Sequence, residues 1–263
     1  MSEQLLSLTG ITLRFAGNVV LDNVDFSMPA GIIASLIGPN GAGKTSLFNC
    51  ITGFYKPQQG SLLLDGTEMR RLKPHQVTRL GIARTFQNVR LFREMSVLEN
   101  VMSGQHCRTT AGAIDAILRL PGQRREEEAI RDFAAECLTF VGIEDGWDRD
   151  ATTLAYGWQR RIEIARALAT QPRLLLLDEP AAGLTKSEKQ ELIELIRRIR
   201  AERDICVLLI EHDTSLVMSL SERVSVLDHG VMIAEGTPKE IQADPKVIEA
   251  YLGVEEGEAE LEF

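Results

Sequence analysis

The octapeptide GPNGAGKT, Gly38 to Thr45, follows the apolar run GIIASLIG and opens the helical pattern KTSLFNCITG. A glycine loop between a strand and a helix is the context a phosphate-binding loop requires. Gly38, Pro39, Asn40, Gly41, Ala42 and Gly43 let backbone amides curl around phosphate oxygens, and the helix start adds partial positive charge. Lys44 would reach the β and γ phosphates, and Thr45, with Ser46 beside it, would offer a hydroxyl to Mg²⁺. A polyphosphate carrying Mg²⁺ is therefore the expected ligand.

A second candidate is LLLLDEP, residues 174–180. Its four apolar residues mark a central strand, so Asp178 and Glu179 emerge at the C-terminal edge where open α/β sheets bind ligands. Alone, two acids there read as a solvated strand end. Beside a phosphate loop, Asp178 would hold Mg²⁺ through water, and Glu179 would orient and deprotonate the attacking water.

Gln87 follows the strand-like GIARTF, and His212 follows CVLLIE. Each alone is an ordinary structural or inert residue. Their shared position past core strands fits contact with a γ-phosphate: the Gln87 amide to metal and water, the His212 imidazole as a hydrogen-bond donor. Phe15 ends an N-terminal strand and is either a core aromatic or a platform for adenine. Trp158, in TTLAYGWQRRIEIARAL, sits in the first turn of a helix, where a tryptophan is ordinarily core.

These residues need a scaffold, and the hydrophobic pattern supplies one. Short apolar runs alternate with helical patterns, which predicts a largely parallel sheet flanked by helices. LLSLTGITLRFAGNVVLDNVDFSM reads as an antiparallel N-terminal ribbon broken at Ala16, Gly17 and Asn18, and Gly53 as the C-terminal cap of the helix after the glycine loop. From about Ser96 to Thr170 helical periodicity replaces the strand signal, which marks an inserted helical subdomain. Sheet returns with RLLLLDEP and ICVLLIEHD, separated by a long helix, SEKQELIELIRRIRAER. A hairpin follows, bent at His229 and Gly230, and then a final helical stretch, PKEIQADPKVIEAYLG.

Composition limits the function classes. The chain has 263 residues, 44% of them apolar, enough for one large α/β domain. A net charge of −9 opposes sequence-independent nucleic-acid binding, which needs a basic surface. Cys50, Cys107, Cys137 and Cys206 form no C-x-x-C pair and read as reduced thiols without a metal site. No run approaches the ~18 apolar residues of a membrane span, and no export signal opens the chain. Residues 254–263 read as an acidic, solvated tail.

With Phe15, GPNGAGKT, Gln87 in RTFQNVRLF, LAYGWQRRIEIARAL, LLLLDEPAAGL and His212 in LLIEHD in this order, the chain resembles the ATP-binding subunit of an ABC transporter over nearly its whole length. NVRLFREMSVLENV, DEPAAGLT, IEHDTSLVM and VIEAYLG resemble the subfamily that powers uptake of branched-chain amino acids and related small polar solutes. The resemblance implies one domain over residues 1–253, with a P-loop core at 1–95 and 171–253 and a helical subdomain at about 96–170. It also implies an ATP-hydrolysing motor on the cytoplasmic face of the membrane, working with permease subunits, a second ABC ATPase (identical or different) and, indirectly, a solute receptor. ATP would lie between two subunits, each phosphate loop facing the other's signature, here Ala155, Tyr156, Gly157 and Trp158. On that reading Trp158 is exposed in a free subunit and covered in the closed dimer.

Leu91, Phe92, Met95 and Val97 would either line the groove for the permease coupling helix or be core. The alternatives in function are an importer of an amide or urea, a non-transport ABC ATPase, and a non-hydrolysing subunit, which intact Glu179 and His212 oppose. Two departures from the family pattern stand out: Ala155 replaces the signature serine, and Thr185 replaces the acid that often ends the loop after DEP.

Overall fold

The computed structural model of the chain describes residues 4–107 and 121–252. β1 (Gln4–Phe15) and β2 (Asn18–Pro29) pair antiparallel, with Phe15 opposite Asn18. Only Ala16 and Gly17 lie between them, both at positive φ (44° and 91°), as a two-residue turn matched to strand twist demands. β4 (Gln59–Leu64) and β5 (Thr67–Glu68) complete a four-stranded antiparallel sheet in the order β2-β1-β4-β5.

The second sheet runs β10-β9-β3-β8-β7-β6. Its members are β3 (Ile33–Ile37), β6 (Ile82–Arg84), β7 (Leu174–Asp178), β8 (Cys206–Ile210), β9 (Arg223–Asp228) and β10 (Val231–Gly236). All pairings are parallel except β9 with β10. Every residue of β3, β7 and β8 is buried. That is why these strands read as unbroken apolar runs: both faces of a parallel sheet are covered.

Strand alternation divides the core. Leu174 and Leu176 of β7 face a cluster shared with the antiparallel sheet and with Leu47, Phe48 and Ile51 of α1 (Lys44–Ile51). Leu175 and Leu177 face the opposite cluster, which also contains residues of α3 (Val97–Met102), α4 (Pro121–Phe140), α5 (Tyr156–Ala169) and α6 (Lys186–Arg203). Each such leucine, fully buried, contributes roughly 1.5–3 kcal/mol. A smaller cluster places Ile37 of β3 against α7 (Thr214–Leu220), α8 (Pro238–Ala243) and α9 (Pro245–Leu252).

Among the described residues no named strand lies between Arg84 and Leu174, in line with the helical reading of that stretch. α3, α6 and α8 each start at a Ser/Thr-x-x-Glu capping box: Ser96 with Glu99, Thr185 with Glu188, Thr237 with Glu240. Each cap satisfies otherwise orphaned amides, worth about 1 kcal/mol. Gly53, left-handed at φ 76° just past the C-cap Thr52, closes α1 as the sequence reading placed it. One detail differs from the sequence reading. The last helical stretch splits at Asp244, because Pro245 cannot continue α8. α2 (Pro74–Leu80) and α7 were not anticipated, each only seven residues long. The acidic tail lies outside the described residues.

Candidate functional site

The phosphate loop connects β3 to α1. Gly38 is at φ 147°, and a Cβ there would fall 1.9 Å from the Leu227 carbonyl oxygen, so no other residue fits. Gly43 is the left-handed N-cap of α1 and provides no side-chain cap, leaving the first amides of the helix for a ligand. Three further contacts shape the loop. The Ala42 amide donates to the Pro39 carbonyl at 3.2 Å, and the Gly230 amide of the β9–β10 turn donates to the Ala42 carbonyl at 2.9 Å. The phenol of Tyr251 from α9 lies near the Gly38 amide, and burial pushes it up to about 12.

Lys44 bends back over the loop and donates to the Gly38 and Pro39 carbonyls at 2.6 and 2.8 Å. Burial pulls its ammonium below the ordinary value, against the opposing charges of Glu179 and Asp178. A desolvated cation over a ring of amides fits a polyphosphate. Asn40, Gly41 and Thr45 are exposed along the same loop, and Ser46 is half-buried.

The acids stand at the end of β7. Asp178 is buried and Glu179 half-buried. Glu179 has φ 45°, a left-handed conformation uncommon for a non-glycine residue and a form of backbone strain found at functional sites. Its amide donates to the Ile210 carbonyl of β8 at 2.9 Å, which fixes where the carboxylate points. Gln87 Nε2 donates to Glu179 Oε2 at 2.8 Å, and His212 Nδ1 lies 3.8 Å from the same oxygen. Parallel strands β6, β7 and β8 thus deliver Gln87, Glu179 and His212 to one point, as their positions after core strands suggested.

The hydroxyl, amide and carboxylate oxygens of Thr45, Gln87 and Asp178 suit Mg²⁺, which takes one or two carboxylates and completes its shell with water and phosphate. Among the described residues no group of three or more His, Cys, Asp or Glu side chains is arranged to hold a metal ion.

Phe15 is 44% exposed and meets the Tyr55 ring edge-on at 5.0 Å, so it is a surface aromatic and not core. Trp158 is also 44% exposed. It lines a pocket of about 230 Å³ beside Leu184 and Leu192, with the Arg161 guanidinium 5.4 Å from its ring. Ala155 N-caps α5 without a side-chain bond, the Tyr156 hydroxyl accepts from Arg160 Nη2 at 3.0 Å, and Gly157 faces the Glu188 carboxylate. Thr185, where an acid was expected, instead caps α6 with Glu188.

Of the four residues expected either in a coupling-helix groove or in the core, two border a surface cleft. Leu91 and Phe92 border a cleft of about 490 Å³ between β6 and α5, whereas Val97 is fully buried in the core and Met95 does not line the cleft. Beneath it runs a buried network that motif reasoning missed. Arg160 donates to the Phe86 and Gln87 carbonyls at 2.7 Å each and pairs with Glu163 at 2.9 Å. Glu163 in turn accepts from the Phe86 and Arg90 amides, and burial raises its carboxyl above the usual range. Arg84, buried against Asp178, was missed as well.

A glycine loop between a buried parallel strand and a helix, with acids at the next strand ends, defines a P-loop nucleotide-binding α/β protein carrying an antiparallel sheet and a helical insert. The family model for ABC transporters matches residues 21–182, and one for branched-chain amino acid ATP-binding cassette transporters matches residues 231–257. The chain is 48% identical to the high-affinity branched-chain amino acid transport ATP-binding protein LivG of Escherichia coli K12, over 96% of this chain and 99% of that one. It is 46% identical, with the same coverage, to BraF of Pseudomonas aeruginosa, which carries the same description. The fold matches the ADP conformation of an ATP-binding cassette of an ABC transporter with a TM-score of 0.82, at 32% identity, covering 95% and 99% of the two chains. The chain belongs to the ABC transporter ATP-binding family. It is an ATPase subunit of a transporter. Among the described residues no helix is long and apolar enough to cross a membrane.

Proposed function

We propose that the chain hydrolyses ATP to drive import of branched-chain amino acids or closely related small polar solutes. The observation that carries this is 48% identity to LivG across nearly both whole chains, joined to the branched-chain match at the C-terminus. The chain would sit peripherally at the cytoplasmic face of the membrane, with a second ABC ATPase across the nucleotide and an external receptor supplying solute to the permease.

Within the site, the loop amides of Gly38–Gly43, Lys44 and Ser46 bind the phosphates, and Phe15 stacks on adenine. Mg²⁺, when bound through Thr45, Gln87 and Asp178, supplies charge stabilisation to the phosphoryl oxygens. Glu179 accepts a proton from the attacking water. Gln87, held to Glu179 at 2.8 Å, orients both the carboxylate and that water. His212 donates to the γ-phosphate as charge develops, and its 3.8 Å separation from Glu179 keeps it within reach of the same centre. Ala155, Tyr156, Gly157 and Trp158 face the nucleotide held by the second ATPase.

Glu179→Gln keeps the side-chain volume and an acceptor for Gln87 but removes the base. ATP binding should stay near wild type, while hydrolysis falls by about 10²–10⁴-fold. Near-normal turnover sinks the assignment. For the solute, uptake of labelled leucine by cells carrying the encoded permease and receptor should depend on this chain. Uptake of an amide or urea alone would move the reading to that cargo.

A further inference from the structure

Arg84 closes the three-residue strand β6 and turns its guanidinium into the interior, between the rings of Phe48 and Phe86 at 5.6 and 5.4 Å. Nη2 donates to Asp178 Oδ2 at 2.6 Å, and the two side chains are only 7% and 5% exposed. Nη1 donates to Asn49 Oδ1 at 2.6 Å and reaches Thr52 Oγ1 at 3.5 Å. Asn49 lies in α1, the helix that begins at the phosphate loop, and Thr52 caps it. Nε is buried without a hydrogen-bond partner. One planar group therefore ties the proposed magnesium acid to the helix of the phosphate loop.

Stability alone does not account for this arrangement. Burying a charged pair carries a desolvation penalty that its attraction barely offsets, and apolar replacements of equal volume are often neutral or better. The orphaned Nε adds a further penalty. What the fork does supply is direction: with Oδ2 committed to Arg84, the Asp178 carboxylate is locked in rotation and Oδ1 is the oxygen left for a metal-bound water. Lysine could match the charge but not the fork, since one ammonium lacks the fixed planar spread that reaches two partners at once.

We infer that Arg84 is a positioning residue for magnesium, holding Asp178 at a set orientation and distance from the phosphate loop through its simultaneous bonds to Asp178 and Asn49. This rests on the proposed role of Asp178. As in a metal centre whose outer partners orient the ligands, losing such a bond should lower metal affinity by about tenfold or more.

The test uses the full chain and a trinitrophenyl-ATP fluorescence titration without turnover, first in EDTA and then across a MgCl₂ series. Arg84→Lys, Arg84→Met and Asp178→Asn are compared with wild type. The expected result is that Arg84→Lys binds the probe in EDTA within about twofold of wild type, while the MgCl₂ midpoint for tightening rises about tenfold. Should the methionine variant fail to fold, the lysine variant carries the test. An unchanged or lowered midpoint in Arg84→Lys overturns the inference, as does an equal loss with and without magnesium, which would mark a structural role. If Asp178→Asn leaves the midpoint at the wild-type value, the magnesium reading itself falls. A shift in Asp178→Asn without one in Arg84→Lys refutes Arg84 alone.

Discussion

Replacing Ala155 by serine restores the residue the family signature carries, and two separable effects follow. Ala155 is the N-cap of the 14-residue helix α5, at φ −59° and ψ 151°, the extended conformation an N-cap uses. It is exposed, so an added oxygen meets no crowding. A serine Oγ there accepts from the Gly157 or Trp158 amide, and the change from alanine is worth about 0.5–2 kcal/mol, typically ~1. For a chain of this size that raises Tm by about 2–4 °C. The same hydroxyl would face the nucleotide of the opposing subunit, where a hydrogen bond to a charged phosphate is worth about 1.5–3 kcal/mol, or tenfold and more in affinity. Ala155→Gly separates the two, because glycine is also a better N-cap than alanine but carries no hydroxyl. Thermal unfolding of the isolated chain should rise in both variants. Nucleotide affinity of the dimer with its partner ATPase should rise only in the serine variant. A serine variant that melts no higher than wild type would refute the cap argument, and equal affinity in serine and glycine variants would refute the trans contact.

Three further outcomes are expected. Arg160→Met leaves buried Glu163 with the more distant Arg166, 3.9 Å away, as its charge partner and should lower unfolding free energy by up to about 3–5 kcal/mol in urea titrations, while the Arg160→Met, Glu163→Leu pair recovers part of it. A loss below about 1 kcal/mol in the single variant would mean that the network carries no such weight. Burial pushes the Cys50 and Cys137 thiols up to about 12, Cys206 is buried, and Cys107 is half-buried. A thiol reagent at pH 8 should therefore modify one cysteine quickly in the native chain and four after denaturation, and two fast thiols would contradict this.

Asp213 gives the pH dependence. Burial raises its carboxyl, but hydrogen bonds from Lys189 and Ser215 and from the Leu216 amide outweigh that and hold it at about 2, below the ordinary 3.8. Its contribution is complete above the unfolded value and is lost as pH falls through about 2. The stability gap between wild type and Asp213→Asn should be flat above about pH 5 and narrow below about pH 4, and a gap constant down to pH 2 would refute the pairing.

What was legible in the chain was local. GPNGAGKT carries its glycines, lysine and threonine in one contiguous stretch, and the apolar runs before it and before Asp178 announce buried parallel strands, so the loop and the acids could be placed together. Gln87 and His212 followed from the same rule, each one step past a core strand. The supporting residues were hidden for a physical reason: their partners are distant in sequence and their types carry no motif. Arg84 and Asp178 are 94 positions apart, and Arg160 meets Gln87 across 73. A buried arginine looks in sequence like any charged residue that ends a strand. Val97 was ambiguous because helix periodicity marks an apolar face without saying whether it meets core or a partner, whereas Leu91 and Phe92 differ from it in lying before the Ser96 cap. Trp158 was the reverse case: a residue type that suggests core, on a helix start whose packing leaves the indole outside.

The brace on the phosphate loop has a consequence for how the molecule is made. Gly38 leaves the ribosome early, yet Gly230, whose amide holds the loop at the Ala42 carbonyl, is about 190 residues downstream. At about 5–20 residues per second, that gap lasts on the order of 10–40 s. Among the described residues β3, which presents the loop, pairs with β8 and β9 alone, so its backbone lacks both neighbours until residues 206–228 have been synthesised. A nascent chain thus holds every letter of the phosphate-binding motif for most of its synthesis without holding the site. Nucleotide capture is deferred until the polypeptide is nearly finished, and a prematurely terminated subunit has no folded pocket with which to compete for ATP or for a place in the transporter.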